Sequence, residues 1–336
     1  FYTNIEPDIS YCQVVGFARN PTCVRKAPMV SIKDVAAEAR VSPQTVSNYF
    51  NQPEIVKDMT RKKVESAVEK LRYTPNASAR RLRTRKSNTL AIGIAPTGYS
   101  PIYDLLLHAL VSEADRSGLR IMLYKTDSKT DEIRQYRSLI AGGDVDCFIL
   151  TDTEHHDPRI AWLTDHRQAF VLFGRPWGHD LSDPDIAWVD VDGRRGIADM
   201  TRHLILTGHR HIGFLGWPEP SGTGTDRKRG WQETMEQAKL CDPSSISDYL
   251  AYSQDDIRSG QIACRELMSR KTCIDAIVCV SDTLATGALT SLPHSTGIAV
   301  TGFDNTAPAQ SLGFPSLAQP TQDIAHELVR IALEPI

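Results

Sequence analysis

The sequence lacks most of the patterns that mark a membrane protein, a secreted protein or an enzyme. No apolar run approaches the roughly twenty residues needed to cross a bilayer. The first 28 residues carry no charged-then-apolar signal pattern, so the expected compartment is the cytoplasm. The seven cysteines (positions 12, 23, 147, 241, 264, 273 and 279) are odd in number and form no CxxC pair. They fit reduced thiols used as small core residues, not a disulfide framework. "GIAPTG" and "GTGTDRKRG" miss the GxGxxG and GxxxxGK spacings that cradle phosphates, and no GxSxG elbow occurs. His155-His156 and the group His203, His209 and His211 lack the carboxylate-plus-His helix spacing of a metal site. No cofactor and no metal are therefore expected, and an enzyme is only a rival reading.

What is present is an uneven distribution of charge. Residues 29–86 carry a net charge of +7, whereas residues 87–336 carry −11. A basic segment on an acidic body suits a nucleic-acid-binding module attached to something else, although on charge alone a solvated basic surface serves equally well.

Residues 1–28 have no period and read as a disordered or upstream extension, with organised sequence beginning at Met29. Residues 29–75 read as three short helices. Ile32, Val35, Ala36 and Ala39 share one face of the first, and Arg40-Val41-Ser42 makes the turn. The second helix is "SPQTVSNYF", with Ser42 as cap, Pro43 in the first turn and Val46, Tyr49 and Phe50 as the buried face. The third runs from about Asp58 to Leu71, with Asp58 or Thr60 as its expected cap. Helix, three-residue turn and helix make a helix-turn-helix. The second helix keeps Gln44, Thr45 and Asn48 on its open face. Gln and Asn can each pair with adenine through two hydrogen bonds, and Thr offers a hydroxyl and a methyl, which is what a major-groove helix needs.

Residues 76–89 form a basic linker in which Asn76 could cap a short helix. Its Arg80, Arg81, Arg83, Arg85 and Lys86 suit phosphate contact. From residue 90 to 336 apolar runs alternate with amphipathic segments. The strand candidates are 90–95, 120–125, 147–151, 169–174, 187–191, 211–216, 276–281 and 298–303. Helical stretches lie at 101–116, 132–141, 193–206, 227–239, 257–269 and 283–291. Such alternation predicts an α/β body with mainly parallel sheets covered on both faces, arranged as two lobes with a cleft.

"SIKDVAAEARVSPQTVSNYFN", "TRKKVESAVEKLRYTPN" and "SARRL" together resemble the headpiece of the lactose-repressor (LacI/GalR) family. "TGHRHIGFLG", "RKRGW", "VSDTLATGAL" and "VTGFDN" resemble motifs of its body, so the likeness spans about residues 30–333. The resemblance implies a homodimeric transcription regulator, expected to act as a repressor, that binds palindromic operator DNA. Its body is similar to periplasmic sugar-binding proteins, and a small molecule, by analogy a sugar, controls operator affinity from the cleft. The DNA contacts it implies are Ser31, Pro43, Gln44, Thr45, Ser47, Asn48, Asn51, Tyr73, Asn76, Ala79, Arg80, Arg81, Leu82 and Arg83. Leu82 is the expected minor-groove wedge. The effector contacts it implies are Arg227 and Asp282 first, then Asp304 and Gln322. Tyr99, Tyr103, Phe173, Arg175 and Trp217 are expected at the mouth.

This sequence departs from the family pattern at three headpiece positions. Arg40 occupies a turn position usually held by Gly, Asn48 stands where an Arg often reads guanine, and Pro43 replaces a larger side chain. A different base preference is expected. The other class to weigh is a sugar-binding protein without DNA function, which the basic headpiece argues against.

Overall fold

A computed structural model of the chain describes residues 30–74, 86–94, 100–179, 181–242, 244–270, 273–293 and 296–334. The chain divides into two compact units, Phe1–Arg83 and Thr84–Ile336.

In the first unit three helices, α1 (Ile32–Ala39), α2 (Pro43–Asn51) and α3 (Asp58–Leu71), enclose Val35, Ala36, Ala39, Val46, Val64 and Ala67. α1 opens with a capping box in which the Ser31 N–H and hydroxyl both donate to Asp34 Oδ2 at 2.7 Å. It stops at Arg40, whose φ of 53° and ψ of 48° place a non-glycine residue in the left-handed region, as the departure at that position implied. Ser42 caps α2 by accepting from the Thr45 N–H at 3.1 Å, and Pro43 fills the first turn. The expected cap of α3 is corrected. The helix begins at Asp58 itself, so Lys57 holds the cap position and no side chain closes it. Asp58 instead places a negative charge in the first turn.

The second unit holds two five-stranded parallel sheets. The first lobe contains β1 (Thr89–Ile94), β2 (Arg120–Lys125), β3 (Cys147–Leu150), β4 (Phe170–Phe173) and β5 (Trp188–Val189), in the order β2-β1-β3-β4-β5. Helices α4 (Pro101–Arg116), α5 (Lys129–Gly142) and α6 (Pro158–Asp165) connect them. The second lobe contains β6 (Ile212–Gly216), β7 (Leu250–Tyr252), β8 (Ala276–Cys279), β9 (Ala299–Asp304) and β10 (Ser316–Ala318), in the order β10-β9-β8-β6-β7. Its helices are α7 (Gly193–Leu206), α8 (Gly222–Gln237), α9 (Ile257–Ser269), α10 (Asp282–Ser291) and α11 (Ala307–Leu312). The last helix, α12 (Thr321–Leu333), returns to the first lobe, where Ile324, Ala325, Leu328 and Val329 join Leu90, Leu106 and Leu110 in one core. The chain therefore passes between lobes at residues 190–192 and again at 319–320.

All eight strand candidates are strands. The sequence reading missed β7 and β10, which are three-residue strands too short to show a period, and also α6, α11 and α12. It also started α8 late. Ser221 caps that helix by accepting from the Gly224 N–H at 3.0 Å, and its small first residues are required by packing. A Cβ on Gly222 would lie 2.2 Å from the Trp177 ring, and one on Gly230 would lie 2.0 Å from the Arg194 carbonyl of α7. Among the described residues no helix is long and apolar enough to cross a membrane.

Candidate DNA-reading face and effector cleft

On α2, Pro43 and Gln44 are exposed and Thr45, Ser47 and Asn48 are half-buried. The two amide side chains meet: Gln44 Nε2 donates to Asn48 Oδ1 at 2.8 Å, one helical turn apart. That bond leaves the Gln44 carbonyl as an acceptor and the Asn48 amino group as a donor. Thr45 and Ser42 share a hydroxyl hydrogen bond of 2.9 Å. Asn51 donates to the Ser47 carbonyl at 2.5 Å. Ser31 is exposed but occupied by the α1 cap. Tyr73 is half-buried, with its ring 5.9 Å from that of Phe50. Asn76, Ala79, Arg80, Arg81, Leu82 and Arg83 lie outside the described residues, as does Tyr99.

The body contains a cavity of about 690 Å³ between its lobes, at the carboxyl ends of the strands. Of the residues named from sequence, Tyr103, Phe173, Trp217, Arg227 and Asp304 line it. Arg227 projects from α8 and is only 5% exposed. Its guanidinium lies over the Phe303 ring at 3.7 Å and 5.5 Å from the Trp217 ring centre. Nη1 donates to the Val280 carbonyl at 2.6 Å, and Nη2 lies 3.9 Å from Asp304 Oδ1. Its Nε is buried beside Gly193 and has no hydrogen-bond partner among the described residues. Burial lowers the guanidinium pKa against the pull of Asp304, Asp190 and Asp255.

Asp304 ends β9 with a φ of 113°, a conformation that a non-glycine residue holds only under tight constraint. Burial raises its carboxyl to about 7, opposed by the charge of Arg227 and by the Gln319 amide, which donates at 2.6 Å. Asp190 and Asp255 also line the cavity, and burial raises both of them too.

Three expected effector residues are placed elsewhere. Asp282 is 1% exposed and does not line the cavity. Its Oδ2 accepts from the Thr306 N–H at 2.6 Å and the Thr306 hydroxyl at 2.8 Å, and its Oδ1 accepts from Ser316 at 2.5 Å. It therefore ties α10 to the segments around β9 and β10. The cap of α10 is Ser281, which also donates to Asp255 Oδ1 at 2.5 Å. Gln322 is exposed on α12, whereas Gln319, in the crossing segment before Pro320, lines the cavity. Arg175 lies outside the lining and bridges the lobes, pairing with Asp190 at 3.0 Å and Asp226 at 3.2 Å.

The first-lobe wall includes a polar group that the sequence reading missed. Glu132 accepts from the Tyr124 and Tyr136 hydroxyls, each at 2.8 Å, and from Arg159 Nη1 at 2.8 Å. Arg159 Nη2 donates to Asp157 at 2.7 Å and to the Thr151 carbonyl at 2.8 Å. Lys129 donates to the Asp152 carbonyl at 2.9 Å and lies 3.0 Å from Glu154. No local pattern announces this network, because its members come from β2, α5, α6 and the loop after β3.

Comparison with known proteins agrees with this architecture. Residues 31–76 match the family described as bacterial regulatory proteins, lacI family, and residues 89–332 match periplasmic binding proteins and sugar binding domain of LacI family. The HTH-type transcriptional regulator CelR of Thermobifida fusca is 29% identical over 323 residues, covering 93% of each chain. The HTH-type transcriptional repressor PurR of Escherichia coli O1:K1 is 29% identical over 283 residues, covering 82% of this chain and 81% of its own. A solved CelR–cellobiose complex superposes with a TM-score of 0.67 at 27% identity, covering 90% of this chain and 92% of that one. The lac repressor dimer bound to operator shares the fold, with a TM-score of 0.76 at 20% identity over 90% of this chain and 92% of that one. These relatives are transcriptional regulators and not enzymes, and this chain belongs to the LacI family of bacterial DNA-binding regulators.

Proposed function

We propose that the protein is a homodimer that reads a roughly palindromic operator with Gln44, Thr45 and Asn48 of α2. In this reading a saccharide in the interlobe cleft sets operator affinity. The observation that carries it is the buried Arg227, with an unpartnered Nε, facing the same cavity as Asp304 and flanked by the Trp217 and Phe303 rings. Guanidinium donors, carboxylate acceptors and aromatic faces together suit a polyhydroxylated ring. The relative solved with cellobiose makes that disaccharide the first probe. The basic headpiece predicts steep salt dependence of operator binding through counterion release.

The test begins with genomic fragments captured by the full chain, which yields the operator. Gel shifts on that operator with and without cellobiose, and then with other sugars, follow. A palindromic site whose occupancy changes with one saccharide supports the reading. Binding of a single half-site by a monomer with undiminished affinity rules out the dimeric arrangement.

A further inference from the structure

The charges of the cleft go beyond naming a sugar. Nine carboxylates line it among the described residues, against three cations: Lys129, Arg159 and Arg227. Each cation is already engaged. Lys129 lies 3.0 Å from Glu154, Arg159 is held by Glu132 at 2.8 Å and Asp157 at 2.7 Å, and Arg227 faces Asp304 at 3.9 Å. A phosphate or carboxylate ligand is normally met by a cation with an open fork or by the N–H groups of a helix start. The cap residues of four helices line the cleft. Three of them accept from a backbone N–H of the first turn, Ser128 from Asp131 at 3.1 Å, Ser221 from Gly224 at 3.0 Å and Asp256 from Ser259 at 2.8 Å, whereas Ser100 at the start of α4 makes no such bond. Asp127 lines the cleft beside Ser128. Near Arg227 the carboxylates crowd together: Asp255 and Asp304 act on its guanidinium along with Asp190, which also pairs with Arg175 at 3.0 Å.

We propose, on the reading of the cleft as a saccharide site, that it accepts uncharged saccharides, tolerates an added ammonium group, and rejects phosphorylated and acidic sugars. An entering anion would meet a low-dielectric wall in which carboxylates outnumber cations nine to three. Burial holds Asp304 up at about 7, and the neighbouring carboxylates Asp282 and Asp255 push in the same direction.

The test is calorimetric titration of the full chain with matched pairs: cellobiose against cellobiose 6-phosphate and against cellobionic acid, and glucose against glucosamine. The expected result is that the neutral member binds its acidic twins' site at least about tenfold more tightly, with glucosamine no weaker than glucose. In Asp190→Asn/Asp255→Asn, which keeps the shape and removes two charges, the gap should narrow. It should also narrow in wild type as sodium chloride is raised, a readout independent of the variant's folding. A phosphorylated or acidic sugar that binds as well as its neutral twin overturns the inference while leaving the saccharide reading intact. A gap that responds neither to salt nor to the double substitution also overturns it, because shape alone would then exclude the anion. Silence from every sugar overturns the saccharide reading and this inference with it.

Discussion

Arg175 of the first lobe and Asp226 of the second are joined by an ion pair, with 3.2 Å between Nη1 and Oδ2. Arg175 is 22% and Asp226 13% exposed, so the pair is largely shielded from water. Beside it the Trp177 ring of the first lobe covers Gly222 at the start of α8. Together they tie the first lobe to α8 of the second. Breaking the pair should shift the body toward a more open arrangement and alter ligand affinity. A double-mutant cycle of Arg175→Ala and Asp226→Ala, read by saccharide affinity, should give a coupling of about 0.5–3 kcal/mol. Small-angle scattering should show a larger radius in either variant. Additive effects with unchanged scattering would mean that the two residues do not act as a pair.

Gln44 and Asn48 are hydrogen-bonded to each other, so they should not read bases independently. Gln44→Ala should relax preference at one position of each half-site, with a loss of about 1–3 kcal/mol on the best site, and should also blur the position nearest Asn48. Selection of binding sites from a random duplex pool measures both. An unchanged preference would remove α2 as the reader.

Arg227 and Asp282 should fail in different ways. Asp282→Ala leaves two donors of Thr306 and the hydroxyl of Ser316 without their acceptor, a loss of about 1–3 kcal/mol for each buried group left unpaired. Thermal unfolding should detect it without any ligand. Arg227→Ala should leave operator binding in place and weaken the response to ligand. If Asp282→Ala unfolds like wild type and loses only ligand binding, the contacts described for it are not what it is for.

Gly230 has a packing reason for its place in the "RKRG" segment. The Arg194 carbonyl occupies the space of a Cβ, so Gly230→Ala must push α7 and α8 apart. Overpacking against backbone should remove about 1–3 kcal/mol of stability. Calorimetry of the variant should show a lowered Tm. The ligand response should weaken in parallel, because Arg227 lies one turn away on the same helix.

Asp304 should make stability pH-dependent in a defined direction. Its folded pKa, about 7, lies above the ordinary value of 3.8, so the folded chain holds a proton that the unfolded chain has released. Its contribution is full below the ordinary value and is lost as pH rises through about 7. Between those limits wild type should lose stability relative to Asp304→Asn, which has no proton to lose. Paired denaturant titrations at several pH values check it, and parallel curves for the two proteins would contradict it.

The headpiece was legible because its information is local. The Ser31 and Ser42 caps, the apolar spacing of α1 to α3 and the polar face of α2 all lie within a few residues of the groups they act on. The α3 cap was misread by one position because two short polar residues stood near the start and neither served. The long strands of the body were legible for the same reason, since an apolar run marks a strand buried on both faces.

The cleft was only partly legible, and the failures share one cause. Arg227 and Asp304 sit in recognisable motifs, so their types and places could be read. What each side chain touches depends on residues far away in the chain: Arg227 meets Val280, Asp282 meets Ser316, and Arg159 meets Glu132. Asp282 and Asp304 are both aspartates next to strand ends, yet one closes on Thr306 and Ser316 while the other opens to the cavity. Likewise Gln319 and Gln322 are separated by a single turn of chain, and the return of α12 to the first lobe decides which of them reaches the cleft. Sequence by itself determined the elements and the kinds of groups available, because periodicity and capping act over a few residues. Tertiary structure decided which groups face the ligand space, because burial and hydrogen bonding between lobes set which polar atoms are used up and which remain.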